Sequence, residues 1–319
     1  MSRPTSAAPV EFVHDACIEH APRGAMFGGG CACGAPASRH RRLFTGLLAA
    51  GGAAAALPAW AREGVQVDRP SQFSKLVSAD QVEKAAQQQY LQMRQEAQTK
   101  NALARDDHPQ VIRLRAIAER LKPFTLEWNP RAANWRWEVN LIGSKELNAF
   151  CMPGGKIAFY WGILEQLQLD DGEVAMIMGH EMAHALREHA RERMGKTAAT
   201  RGAIELGAAL FGLGELGRGV ANMGGQLLTL TFSREDESEA DLIGIELAAR
   251  AGYDPRSGVT LWQKMGAASK GAPPKFLSTH PPSPDRIRDI EKALPLVAGL
   301  YARAPRPTRV FGPPPRDKA

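Results

Sequence analysis

His180-Glu181-Met182-Ala183-His184 is the segment that most limits what this chain can fold into. On a helix, residues four apart stand one turn above each other on the same face, so both imidazoles point the same way. The flanks favour a helix. Asp170 and Asp171 offer an N-cap, and Val174, Met176, Ile177, Met178, Met182, Ala183 and Leu186 supply apolar turns, with no proline until Pro255. Arg187, Arg191, Arg193 and Lys196 then gather at the far end, where the helix dipole favours cations.

Two imidazoles on one face can bind one metal ion, leaving Glu181 beside the open coordination position as a base for bound water. Two histidines on a helix that merely packs share this spacing, so a third ligand decides the matter. His189 follows five residues after His184 and, on a continuing helix, points away from the metal face; it reads as structural. Arg187 and Ala190 occupy the positions where a metzincin needs glycine and histidine, which excludes that class. The stronger candidate is the run from Thr231 to Asp241, whose acidic cluster opens a helix striped with Leu242, Ile243, Ile245, Leu247 and Ala248. Within it Glu237 and Asp241 are one turn apart. One can ligate metal while the other holds a ligand histidine through its second ring nitrogen. A solvated acidic helix start is the alternative.

Four ordered motifs resemble the HtpX-like and CAAX-prenyl-protease-like gluzincins, peptidase family M48, and especially their soluble periplasmic branch. They are Asn148-Ala149-Phe150 with Pro153-Gly154-Gly155, Gly179 to His184, Ser233-Arg234 with Glu237-Ser238-Glu239-Ala240-Asp241, and Ser278-Thr279-His280-Pro281. The resemblance implies an α+β, predominantly helical, zincin-like domain with a small antiparallel sheet beside the active-site helix. It implies one Zn2+ per chain held by His180, His184 and Glu237, with Glu181 activating zinc-bound water and Asp241 orienting a ligand histidine. Glu239 is the rival third ligand, but Glu237 matches the family's spacing. The implied activity is peptide-bond hydrolysis in misfolded or unassembled cell-envelope proteins.

The remaining matched pieces have physical readings of their own. Trp135 to Leu141 alternates apolar and polar residues, a strand with one buried face. Asn148 to Tyr160 reads as two short strands around the Pro153-Gly154-Gly155 turn. Lys156, Ile157, Ala158 and Phe159 would form the sheet edge beside the cleft, where an extended peptide can pair through its backbone. Asn148 either binds substrate backbone, as the resemblance implies, or is a turn residue. His280 lies in a Pro-rich loop that cannot be helical; it is either a fourth zinc ligand that latches a resting site, as the resemblance implies, or a capping or surface histidine. Arg286 is either a cation near the transition-state oxyanion, again as the resemblance implies, or an exposed helix arginine.

The first 61 residues read as a bacterial export signal. Arg41-Arg42-Leu43-Phe44 precedes an apolar stretch to Leu57, and Ala59-Trp60-Ala61 offers a cleavage site. The expectation is a twin-arginine signal cleaved near Ala61 and a periplasmic enzyme, with an uncleaved inner-membrane anchor as the alternative. Cys17, Cys31 and Cys33 fall in this leader, so Cys151 is left without a disulfide partner. The leader carries five arginines and three acids, so its removal lowers the net charge from +6 to +4. That is too mild to argue for nucleic acid, and none is expected as a partner. The expected organisation continues with an N-terminal helical segment over 62–105, a peptidase domain over 106–295, and a disordered Pro/Arg-rich tail over 296–319. Gly202 to Leu230 is too interrupted for a membrane span; it reads as a helical hairpin or a lid, with peripheral membrane or envelope-protein contact open. The expected partners are extended or unfolded polypeptides. A zinc-containing chaperone or adaptor with latched, low proteolytic activity is the second function class.

Overall fold

The computed structural model describes residues 62–210, 227, 230–268, 275–280 and 285–316, with only the backbone of 201–210. The leader and most of the Gly202–Leu230 segment therefore lie outside the described residues. A long amphipathic helix, α1 (Ala79–Thr99), starts at Ser78. The helix α2 (Pro109–Leu121) starts with Pro109 in its first turn, where the missing N–H costs nothing. Strands β1 (Glu138–Ile142), β2 (Ala149–Met152) and β3 (Lys156–Tyr160) follow, then a short α3 (Trp161–Gln166).

The helix carrying the two histidines, α4 (Asp171–Leu186), is fixed at its start by a reciprocal cap between Asp170 and Glu173. Nearly every residue along it is buried, because α2, α6, α7 and strand β2 pack around it. It ends at Leu186; Arg187 caps it, Glu188 takes a left-handed φ of 58°, and α5 (His189–Leu210) sets off anew. The acidic run forms the first turns of α6 (Arg234–Arg250), capped reciprocally by Ser233 and Asp236. Three further helices, α7 (Ser257–Ala268), α8 (Lys275–Thr279) and α9 (Arg286–Arg303), complete the order.

Helices α4 and α6 cross at two glycines. A Cβ on Gly179 would stand 2.9 Å from the Gly244 carbonyl oxygen, and one on Gly244 would stand 3.0 Å from the His180 nitrogen. Only glycine lets the two backbones touch there, and that contact brings the side chains of His180 and Glu237 to one place.

The sheet departs from expectation in two ways. It is mixed rather than antiparallel, because β1 pairs with β3 in parallel while β2 pairs with β3 antiparallel. Its order, β1-β3-β2, makes β3 the central strand. Lys156, Ile157, Ala158 and Phe159 are thus bonded on both sides and buried, and cannot offer the edge expected of them. The free edge beside α4 is β2 instead. The β2–β3 turn uses positive φ at Gly154 and Gly155 (83° and 76°). At Gly155 a Cβ would stand 2.7 Å from the Trp137 ring. Regular pairing of β1 begins at Glu138, three residues later than the alternation suggests.

The Pro/Arg-rich tail, expected to be disordered from Leu296, is helical to Arg303 and then lies along the start of α4. The Phe311 N–H donates to Asp171 at 2.8 Å, and the same carboxylate accepts from the buried Arg113 at 2.6 Å. Among the described residues, no helix is long and apolar enough to cross a membrane.

Candidate metal centre

One turn of α4 and one turn of α6 supply the centre of the site. His180 Nε2 and His184 Nε2 lie 3.1 Å apart. Glu237, reaching across from α6, places its carboxylate oxygens 3.5 Å from each. The loop after α8 adds His280, whose Nδ1 lies 3.0 Å from Glu237 and 3.3 Å from His180 Nε2. The expectation that this Pro-rich loop excludes a helix is corrected by α8, whose single turn ends with the His280 N–H bonded to the Phe276 carbonyl.

All four residues are buried, and one ligand atom from each falls within 4.8 Å of the others. Zinc–nitrogen and zinc–oxygen bonds of about 2.0–2.1 Å require tetrahedral ligand spacings of about 3.3 Å. The observed separations of 3.0–3.5 Å bracket that value. The donor set is also electron-rich. His180 Nδ1 is 3.0 Å from Asp241, and His184 Nδ1 is 2.9 Å from His189. With those nitrogens carrying the ring hydrogens, both Nε2 atoms present bare lone pairs to a carboxylate. Such a group of donors fits a divalent cation and could hold one.

Glu181 stands next to this cluster on α4. Its Oε1 is buried without a hydrogen-bond partner, and His280 Nε2 lies 3.4 Å away. Burial pushes its carboxyl above the usual carboxylate range. Burial would also raise Glu237, but the His180 and His280 imidazoles beside it outweigh burial and hold that carboxyl well below its ordinary value. His180 is pulled both ways: burial opposes its charge, while Asp241 and Glu237 together lift its imidazole to about 9. Burial drives His184 the other way, well below the ordinary imidazole value.

Arg286 fits neither role expected of it. The side chain is buried, with its guanidinium 3.6 Å above the Trp262 ring. Its Nε and one terminal nitrogen donate to Asp241 at 2.6 and 2.7 Å, and the other terminal nitrogen donates to Glu237 at 2.7 Å. All three bonds brace carboxylates, so none points into the cleft and the residue is not an exposed helix arginine.

The cleft over Glu181 and His184 is lined on one side by residues 148–153 and on the other by Leu230, Phe232 and Thr279. Asn148 and Cys151 are there, whereas Lys156 and the rest of β3 are not. The Asn148 carbonyl accepts from the Tyr160 N–H at 3.0 Å. His189, read from sequence as structural, sits directly behind His184. The break at Glu188 turns it there, which a projection along one continuous helix could not show.

Comparison with known proteins matches these residues to a known group. The chain is 41% identical over 163 residues to the mitochondrial metalloendopeptidase OMA1 of Schizosaccharomyces pombe, covering 50% of this chain and 47% of that protein. It is 30% identical to the beta-barrel assembly-enhancing protease of Escherichia coli, over 47% of this chain and 32% of that one. Metalloprotease LoiP of the same organism is 31% identical, over 46% of this chain and 58% of the relative. The chain thus spans about a third to somewhat over half of these relatives. The periplasmic address expected from the leader is corrected here. The mitochondrial name recurs in relatives from Arabidopsis thaliana and Bos taurus, and it speaks against that address. Residues 113–294, from the buried Arg113 through the histidine helix to the middle of α9, match the family itself, and the chain belongs to peptidase family M48.

Proposed function

We propose that this chain is a zinc-dependent endopeptidase in which His180, His184 and Glu237 hold one ion and Glu181 is the general base. The observation that carries this reading is the buried, unpartnered Glu181 Oε1 beside four converging metal donors. When bound, zinc would supply Lewis acidity, making water a better nucleophile at neutral pH and polarising a peptide carbonyl. Glu181 takes the proton from the attacking water and carries it to the leaving amine; burial raises its proton affinity toward that task. Asp241 holds His180 by its second nitrogen, and Arg286 fixes Asp241 and Glu237 in turn.

An extended polypeptide would pair its backbone with the free edge of β2, beside Asn148, and lie across Glu181. Backbone pairing tolerates many sequences, which suits misfolded or unassembled chains. The name of the Escherichia coli relative refers to β-barrel assembly, which supports unassembled β-barrel proteins among them. Residues 106–295 form the peptidase domain in this reading, and 62–105 cover it.

A second reading rests on His280. Its ring lies 3.4 Å from Glu181 and 3.0 Å from Glu237, where it would fill a fourth ligand position and shut out water. A chain latched in this way would bind unfolded protein more than it cuts. Purified zinc-loaded protein should cleave unfolded casein, lose that activity to a chelator and regain it with zinc. Glu181→Gln should keep its zinc and fold and lose about 10²–10⁴-fold in rate; full activity in that variant excludes the base role. His280→Ala should raise basal cleavage if the latch operates, and an unchanged rate with normal zinc content removes it.

A further inference from the structure

The two histidines of α4 are held in different ways, and the second way was not visible in the motif. His184 Nδ1 lies 2.9 Å from His189 Nδ1, and His189 Nε2 lies 3.1 Å from Glu239 Oε2. The other oxygen of Glu239 lies 2.5 Å from Arg187 Nε, an ion pair without hydrogen-bond geometry. His189 is 1% exposed, and the His184 ring is stacked on Phe232 with centroids 4.0 Å apart.

Hydrogen bookkeeping fixes the direction of this chain. An ionised carboxylate accepts only, so His189 Nε2–H must donate to Glu239. With its hydrogen on Nε2, His189 offers a lone pair at Nδ1, to which His184 Nδ1–H donates. That leaves the His184 Nε2 lone pair directed at His180 and Glu237. With the opposite arrangement, His184 Nε2 would carry the hydrogen and could not ligate.

We propose that His189 and Glu239 are positioning residues that set the tautomer and ring orientation of His184 for metal binding. The inference rests on the metal-site reading above. The device does for His184 what Asp241 does directly for His180, with an extra imidazole spanning the gap to the carboxylate.

Zinc affinity, measured by competition with a chromophoric chelator on the full chain, tests it. Partners of this kind contribute about 10–100-fold in metal affinity. His189→Ala should lose that much, whereas His189→Gln, which keeps one acceptor and one donor, should recover most of it. With zinc saturating, His189→Ala should show a lower kcat on a casein-derived peptide at unchanged KM. Folded His189→Ala with wild-type affinity overturns the proposal. Should His189→Ala fail to fold, Glu239→Ala decides, because it cuts the chain at its partly exposed end. Weaker zinc binding there supports the proposal and unchanged binding overturns it. Wild-type protein that takes up no zinc overturns both this inference and the metal site, whereas normal wild-type uptake with unaltered variants overturns this inference alone.

Discussion

His180 and His184 are one turn apart on the same helix, yet their surroundings differ. Behind His180, Asp241 accepts directly and is itself gripped by Arg286, which also holds Glu237. Behind His184, the path runs through His189 to Glu239 near the surface, where Arg187 completes it. The first arm is ionic and buried throughout; the second begins with two imidazoles and ends in a carboxylate whose side chain is 18% exposed. Distance explains the contrast. At His180 the helices touch through Gly179 and Gly244, so a short aspartate on α6 suffices. At His184 a residue from the start of α5 fills the space instead.

Removing the cation from the first arm should have the largest effect. Arg286→Ala removes the guanidinium that both Asp241 and Glu237 share, and breaking a buried pair in this way costs about 3–5 kcal/mol. Urea unfolding of the metal-free protein measures it. A loss below about 1 kcal/mol would show that the two arms are energetically alike. Gly244→Ala should follow, at about 1–3 kcal/mol, because the added methyl meets the His180 backbone at 3.0 Å. It should also weaken zinc binding, since it separates His180 from its partners on α6; unchanged affinity would show that the crossing is not what sets the first arm. Phe232→Leu is expected to be the mildest change. It removes the ring stacked on His184 at 4.0 Å and should cost about 0.5–1.5 kcal/mol with only a small loss of zinc affinity. A larger loss than that from Gly244→Ala would make stacking, rather than hydrogen bonding, the main restraint on the second arm.

The α4 helix, its cap and the α6 acidic turns were legible because they depend on local signals: capping residues, apolar periodicity and four-residue spacing. Glu237 and Asp241 were legible as a pair for the same reason. What depended on distant contacts was not. The Pro153-Gly154-Gly155 turn says that β2 and β3 are paired strands but not which strand is central, and β3 lies between its neighbours because β1 joins it in parallel from outside the hairpin. Arg286 reads from sequence as either a cation near the oxyanion or an exposed helix arginine, since nothing nearby announces that α9 buries it against Trp262. His189 is not among the metal donors, as its spacing implies, but its place behind His184 is hidden from a helical wheel because the left-handed backbone at Glu188 restarts the chain in a new direction. The two glycines at the crossing sat inside recognised motifs and helices, but only the structure shows why each lacks a side chain.

The central claim is that α4 and α6 approach closely enough for three residues from two helices to hold one ion. Anomalous scattering at the zinc edge, from crystals of the protein purified without chelator, tests it most directly. The account predicts one peak per chain bonded to His180 Nε2, His184 Nε2 and the Glu237 carboxylate. Zinc bound elsewhere, or no peak while Glu237 stands apart from both imidazoles, would contradict it.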